Sequence, residues 1–408
     1  MSGLVISTSG RMLAEAAHQA HDPVYVIDVF ADQDTRRAAK GVIAIDNPNG
    51  SLHFSLDNLD IAIDQLRQMV LDRGDAIDRL ILGTGFEDQP RLIDQIVARV
   101  TKAFGTVLFN GNSSLVVALA KEPSYLANLM RRAGLQHPQL RLGTPGQKLK
   151  DSGQWLIKRQ GAYGGDHIRW SPSSNPKLAA NEYEQEFIAG TQFAVVFAAQ
   201  LIKGRIESEI LGLSKNWSDG TEASPFRWGG VAGSLILPDS LMESLHQATT
   251  EIARSLNLNG INGLDSIIGQ QTVFGIEINP RPSASFELFS DANFNLWQSF
   301  FAPNAPPLQP GFARMKTRLS NSRHLSLARA IVYADCDLMI PDGFNWADDC
   351  GDIPQAGLIR QGFPVCSVLV KGVEIDNAIL RAKSRVAALK QEFAQEFLLS
   401  RVSNLVQA

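Results

Sequence analysis

Gly275-Ile276-Glu277-Ile278-Asn279-Pro280-Arg281-Pro282 is the stretch whose reading decides the fold. In an extended strand Glu277, Asn279 and Arg281 project to one face, while Ile276 and Ile278 point to the other. One face is apolar and the other is a row of oxygens ending in a guanidinium. Asp265 lies upstream in Gly263-Leu264-Asp265-Ser266-Ile267-Ile268, where Leu264 and the isoleucines predict a second strand and Gly269-Gln270-Gln271 a hairpin turn. Folding that hairpin brings Asp265 beside Glu277. Two carboxylates and an amide oxygen are hard ligands suited to Mg²⁺, which shares its shell with water and phosphates. The pair of strands therefore reads as a cation site that holds a nucleotide triphosphate, and nothing in it suits zinc. Glu-x-Asn alone also fits an ordinary edge strand with solvated side chains; the upstream Asp265 and the terminal Arg281 shift the reading.

With 408 residues, 44% hydrophobic and 20% charged, the chain is expected to be globular and to hold two or three domains, since single cores seldom grow past roughly 250 to 300 residues. The net charge is −4 and no long Lys/Arg block appears, so a nucleic-acid role has no electrostatic footprint. Cys336, Cys350 and Cys366 show no CxxC spacing, and their odd number argues against a disulfide framework and a metal cluster alike. The N-terminus has no basic region followed by a long apolar run, and no apolar stretch of about 18 residues occurs. Neither signal peptide nor membrane span is expected, and a reducing cytoplasm fits best.

The first hundred residues alternate short apolar runs with amphipathic stretches, the pattern of a doubly wound parallel sheet. Leu4-Val5-Ile6, Val24 to Asp28, Arg79 to Leu82 and Val107-Leu108-Phe109 read as strands, with Leu59, Ile63, Leu66 and Val70, then Leu92, Ile96 and Val100, on helical faces between them. Ser7-Thr8-Ser9-Gly10 and Gly83-Thr84-Gly85-Phe86-Glu87 fall at strand ends, where such sheets bind ligands; tight turns alone would also explain them. A helix from Leu115 to Arg132 contains Lys121. After it come the strand Trp155 to Lys158, the glycine-rich Gly161-Ala162-Tyr163-Gly164-Gly165-Asp166-His167, and two strands around a turn at Gly190. Pro238 to Glu243 opens a helix in which Ser240 and Glu243 are expected to form a capping box. Prolines at 303, 306, 307 and 310 mark a connection. Beyond it lie the strands Ala328 to Ala334 and Cys366 to Val370 and a final helix from about Ile375 to Leu399.

Lys158 just ahead of the glycines has a mechanical logic: bare backbone amides can approach phosphate oxygens while the lysine adds a mobile charge. It is not a Walker A loop, because no Gly-Lys-Ser/Thr follows, and lysine plus glycines also describes a simple hairpin. His167 could touch phosphate or stand as an ordinary solvated histidine. Arg227, in the polar-aromatic connection Phe226-Arg227-Trp228, is a candidate for binding a carboxylate, against the reading of a surface loop packed by Trp228. Asp348, Asp349 and Asp352 read as a solvated acidic turn. No Gly-x-Ser-x-Gly elbow is present and the cysteines lie in the tail, so the chain offers no convincing protein nucleophile.

Taken in order, Lys121, Lys158 with its glycine loop, Glu186-Phe187-Ile188, Asp265 and Glu277-x-Asn279-x-Arg281 resemble the ATP-grasp superfamily across roughly residues 110 to 290. The N-terminal sheet is similar to the α/β domain that precedes the ATP-grasp fold, residues 1–112. The ATP-grasp domain itself would span 113–300 as two subdomains, and an α+β extension 301–408. Trp346, Asp352-Ile353-Pro354-Gln355-Ala356-Gly357 and Gly362-Phe363-Pro364-Val365-Cys366 are similar to the tail of predicted ATP-dependent carboligases. That group includes ATP-grasp proteins of tetrahydromethanopterin-linked one-carbon metabolism, relatives of tyramine–glutamate ligase.

The resemblance implies that Lys121 and Lys158 hold phosphates and that Gly161, Tyr163, Gly164 and Gly165 cover the triphosphate. It implies an adenine hinge at Glu186, Phe187 and Ile188. Asp265, Glu277 and Asn279 would hold Mg²⁺, with Mn²⁺ as an alternative ion, and Arg281 would neutralise charge on the transferred phosphoryl group or the substrate carboxylate. The implied reaction is ATP-dependent ligation of a small carboxylate to an amine through an acyl phosphate, in a cytoplasmic enzyme that pairs its subunits. A biotin-carboxylase-like use of bicarbonate shares the same layout, and an ATP-binding regulator without turnover is the alternative from another class.

Overall fold

The computed structural model describes residues 1–45, 52–142, 154–172, 178–269, 272–290, 294–321 and 326–406. The chain opens with β1 (Ser2–Ser7), α1 (Arg11–Gln19), β2 (Val24–Asp28), α2 (Gln33–Ala38), β3 (Gly41–Ala44), α3 (Leu56–Asp72), β4 (Ile77–Leu82), α4 (Arg91–Phe104) and β5 (Leu108–Phe109). The strands form one parallel sheet in the order β3-β2-β1-β4-β5. Leu59, Ile63, Leu66 and Val70 of α3 and Leu92, Ile96 and Val100 of α4 are buried against it, each such side chain worth roughly 1.5–3 kcal/mol of transfer free energy. This is the doubly wound unit expected. The short β3 escapes a reading of apolar runs.

The helix expected from Leu115 to Arg132 is two helices, α5 (Ser114–Ala120) and α6 (Pro123–Arg132). Pro123 cannot donate a backbone bond and disfavours helix in the residue before it, and the Glu122 carboxylate caps α6 by accepting from the amides of Ser124 and Tyr125. Lys121 is thereby left at the break as the C-terminal cap of α5, able to point away from either helix. A small antiparallel sheet follows, β6 (Leu140–Arg141), β7 (Trp155–Arg159), β8 (Arg169–Trp170) and β9 (Glu182–Glu186), in the order β6-β9-β7-β8. Next come β10 (Thr191–Ile202), β11 (Arg205–Ser218), β12 (Trp228–Gly233), α7 (Asp239–Leu256), β13 (Gly260–Gly269) and β14 (Thr272–Asn279). Although β9 and β10 flank the turn at Gly190, they pair in different sheets. The capping box expected at Ser240 is not formed. Pro238 takes the N-cap position, two residues ahead of Ser240, and α7 has no side-chain cap there.

A 3₁₀ turn at Ala284–Phe289, α8 (Leu296–Phe300) and α9 (Ala313–Asn321) lead to β15 (Ser326–Tyr333), β16 (Leu338–Ile340), β17 (Cys350–Gly351), β18 (Gly357–Ile359), β19 (Pro364–Gly372) and α10 (Ile375–Val406). The large sheet has the order β14-β13-β10-β11-β12-β15-β19-β17, so β15, β19 and β17 continue the sheet begun at β10, while β16 and β18 pair in a two-stranded sheet of their own. Phe286, Phe289, Trp297 and Phe301 wedge the N-terminal sheet, through Val5, Val24, Val26 and Ile81, onto Val196, Ala198 and Leu211 of the large one.

A buried ionic network closes the same junction. Arg11 donates from Nε to Asp352 Oδ1 at 2.6 Å, from Nη1 to Glu15 at 2.6 Å and from Nη2 to Glu287 at 3.0 Å. Arg329 pairs with Glu287 and donates to Ser367 Oγ, which in turn donates to Asp352. Asp352 is therefore not the solvated acid expected. Burial alone would raise its carboxyl, but Arg11 and Arg329 outweigh that and hold it below the usual range. Asp349 likewise pairs with Arg385 of α10, while Asp348 is exposed. Among the described residues no helix is long and apolar enough to cross a membrane.

Candidate functional site

The β13–β14 ladder places Asp265 directly opposite Glu277, and Gly269 opposite Thr272 closes the hairpin, whose tip at 270–271 lies outside the described residues. A bulge between Asp265 and Ser266 interrupts the strict alternation expected from Gly275. The ladder resumes at Asp265 and Glu277, and the fully buried Ile278 packs into the core below. Asn279 Nδ2 donates to Asp265 Oδ2 at 2.8 Å. Lys121, freed by the helix break, donates to Glu277 Oε1 at 2.5 Å and to Asn279 Oδ1 at 3.0 Å. The acids, the amide and the lysine thus form one cluster, as their order in the sequence implied.

Across the cleft stands the small sheet, with Lys158 on β7 and Tyr183 opposite it on β9. Lys158 is buried, and burial lowers its ammonium, countered by the charges of Glu277 and Asp265. On Glu277 burial acts upward, but the ammonium groups of Lys121 and Lys158 overcome it and keep the carboxyl below its ordinary value. Burial and the neighbouring Glu277 charge instead push Asp265 up to about 6. Burial depresses His167 to about 4, and its Nδ1 is buried without a hydrogen-bond partner among the described residues, at a point that feels both Glu277 and Lys158. Tyr183, missed in the sequence, faces Glu277 from β9 and is raised by burial.

Arg281 lies two residues past the end of β14, in a bend rather than in the strand. Its Nε donates to Glu87, a buried carboxylate that also accepts from the amides of Gly85 and Phe86 at 3.1 and 3.0 Å. Burial opposes ionisation of Glu87, yet Arg281 and then Lys121 hold it down at about 2. The bend is braced by Asn112, whose Nδ2 lies 2.9 Å from Pro280 O. Glu87 ends the turn after β4, and Ser7 to Gly10 run from the last residue of β1 into its turn. These two strands are neighbours at the point where strand order reverses, the place at which open α/β sheets bind ligands. Thr8 N donates to Thr84 O, and Thr84 N to Ser7 Oγ, so the two turns form one lip of the cleft.

The glycine loop is seated closely on its neighbours. A Cβ at Gly161, where φ is +74°, would come within 2.5 Å of Glu87 O. One at Gly165, where φ is +80°, would come within 2.1 Å of Phe226 O. Trp228 N donates to Gly164 O at 2.8 Å, and Tyr163 reaches toward Thr8 and the Leu52 carbonyl. Only glycine permits these approaches at positive φ. Phe226 and Phe187 meet Trp170 at ring separations of 5.1 and 4.9 Å, which closes the side of the loop. Arg227 is held by the Asp219 carbonyl at 3.1 Å and stacks on Tyr333 at 3.7 Å, so it braces this connection instead of waiting for a carboxylate.

At the expected hinge two amides are already engaged. Glu186 N donates to Gln139 O and Phe187 N to Gln154 O, both at 2.9 Å; neither amide meets a base edge without breaking that bond. Ile188 begins the crossing to the large sheet.

Asp265, Glu277 and Asn279 suit a hard divalent cation by donor type. The Lys121 ammonium, resting on Glu277 and Asn279, is a stand-in that marks the position as cation-attracting. An ion there would need Lys121 to swing away.

An ATP-grasp domain profile matches residues 124–285, which include every residue named at the site from Lys158 to Arg281. Among curated proteins no match is found. Of solved structures, the biotin carboxylase domain dimer of Hydrogenobacter thermophilus 2-oxoglutarate carboxylase, in complex with MgADP, ADP and bicarbonate, aligns with a TM-score of 0.64 at 12% identity. That alignment covers 94% of this chain and 89% of that one. The L-amino acid ligase of Bacillus licheniformis aligns with a TM-score of 0.60 at 12% identity, covering 97% and 98%. N5-carboxyaminoimidazole synthetase from Staphylococcus aureus complexed with ADP gives 0.58 at 12% identity, covering 94% and 97%. Likeness at such identity establishes the fold.

Proposed function

We propose that this chain, which carries an ATP-grasp domain, is a Mg²⁺- and ATP-dependent ligase that joins a small carboxylate to an amine through an acyl phosphate. The observation that carries the reading is the cross-strand Asp265–Glu277 pair with Asn279, tied to Lys121 and facing Lys158. Asp265, Glu277 and Asn279 would hold Mg²⁺, which when bound supplies charge neutralisation between phosphate groups. Lys121 and Lys158 bind phosphate oxygens, the loop Gly161 to Gly165 covers them and excludes water, and Arg281 receives the charge of the transferred phosphoryl group or of the carboxylate. Phosphoryl transfer needs mostly positioning and electrostatics. Hence the reading needs no protein nucleophile; Cys350 and Cys366 belong to the far edge of the large sheet.

The likeness to carboxylase and carboxyaminoimidazole synthetase folds supports a second reading, activation of bicarbonate. One assay separates them: ADP release with Mg²⁺ and ATP against amino acids paired with amines, glutamate with tyramine among them because the tail motifs resemble relatives of that ligase. Release that requires both a carboxylate and an amine is the expected result. Release with bicarbonate alone would replace the ligase reading, and no release with any pair would favour a nucleotide-binding regulator.

The seated loop gives a narrower expectation. Gly165→Ala adds a clash with Phe226 O to the cost of positive φ, whereas Gly164→Ala bears only the backbone cost, since nothing lies within 4 Å of its Cβ. Gly165→Ala should weaken nucleotide binding about tenfold more than Gly164→Ala does, a difference of roughly 1.4 kcal/mol. Calorimetric titration with a non-hydrolysable ATP analogue reads the difference, and equal affinities would mean that the loop does not seat on the nucleotide.

A further inference from the structure

Cys350 and Cys366 stand far apart by sequence pattern, yet β17 and β19 make them neighbours. The ladder sets Cys350 opposite Val368 and Gly351 opposite Ser367, so Cys366 is the diagonal neighbour of Cys350 on the same face. The two thiols lie close enough for each to shift the other's titration. Both are free thiols; Cys366 is buried and Cys350 is half-exposed. β17 is a two-residue edge strand, so little structure resists the approach from thiol contact to the S–S length of about 2.05 Å.

We propose that Cys350 and Cys366 form a reversible disulfide, a modification site in which half-exposed Cys350 meets a disulfide oxidant and buried Cys366 resolves it. With glutathione disulfide as oxidant, the Cys350 thiolate attacks one sulfur of the S–S bond. This forms a Cys350–glutathione mixed disulfide and releases one glutathione, which takes up the proton. The Cys366 sulfur then attacks Cys350 Sγ, its proton leaves with the second glutathione, and one oxidant is reduced for two thiols oxidised. Cys350 suits the first role: the neighbouring Cys366 thiol and the nearby Arg385 guanidinium lower its thiol, against burial and Asp349.

The bond closes the loop from 350 to 366, which contains the Asp352 to Gly357 motif that the cleft does not use. That loop docks on the N-terminal sheet's α2. Ile353 N donates to Asp34 and Gln33 N to Ile353 O, at 3.0 and 2.8 Å, and Asp352 receives Arg11. Oxidation therefore staples the segment through which the two ends of the chain hold each other.

The test treats the reduced full-length protein with glutathione disulfide, counts thiols after unfolding in a thiol reagent, and maps peptides by mass spectrometry. The thiol count should fall from three to one, with Cys336 still modifiable and a peptide linking Cys350 to Cys366; dithiothreitol should restore three. Cys366→Ala should stop at a single glutathione on Cys350, and Cys350→Ser, at the half-exposed position, should leave Cys366 unreacted. A stable glutathione adduct on Cys350 in the unaltered chain would overturn the proposal, and so would failure of Cys350 to react.

Discussion

Glu277→Gln is expected to lower Mg²⁺-dependent ATP turnover on the order of 10³-fold, the scale of losing one preorganised electrostatic partner. Two effects combine. The neutral amide cannot supply the charge that a hard cation demands, and Lys121, which now donates to Glu277 at 2.5 Å, turns toward Asp265 and competes for that carboxylate too. The fold should persist, because the Glu277 side chain is 31% exposed and fills no core. Asp265→Asn should behave alike. Steady-state ADP release, with circular dichroism to confirm folding, makes the comparison; turnover close to that of the unaltered protein in both variants would exclude the cation role given to this pair.

Glu87→Ala should have the largest effect on stability, about 3–5 kcal/mol, because it strips a buried guanidinium of its partner. Glu87 is 3% exposed, so solvent screens the pair little. The amides of Gly85 and Phe86 lose their acceptor as well. The pH dependence follows in sign. With a folded-state pKa near 2 against 4.5 for an unperturbed glutamate, the stabilisation from Glu87 is fully present above about pH 4.5 and drains away as pH falls toward 2. In the alanine variant the acid limb of stability between those values should flatten. Urea unfolding at stepped pH measures it, and limbs of identical slope would show that Glu87 is not the group responsible.

Much of this was legible in the residues because local chemistry and fold agree. The alternation around Ile278 marked a strand with one wet face, and that face is where Asp265, Glu277 and Asn279 meet. Lys158 and the glycines announced a loop needing close backbone approach. What was not legible depends on distance in sequence. Glu87 carries no local sign that its partner is Arg281. Asp352 sits among other acids and reads as solvated until Arg11 and Arg329 arrive from elsewhere. Helix boundaries failed where side-chain context decides: Pro123 with Glu122 at the break, and Pro238 displacing Ser240 from the cap. The hinge reading took the amides of Glu186 and Phe187 as open, and the carbonyls of Gln139 and Gln154, distant in sequence, already accept from them.

The large sheet runs from β14 to β17 without regard for where the matched ATP-grasp residues end at 285. A fragment cut at that residue would stop the sheet at β12 and leave bare the ladder groups that Gly230 to Gly233 share with β15. It would also bare Ala232, which belongs to the core under α10. An open, small-residue edge of this kind is a template for another chain. A piece cut to the matched residues would keep Asp265, Glu277 and Asn279 yet expose that edge, so the strands of the tail belong to the same sheet-forming unit as the proposed cation site.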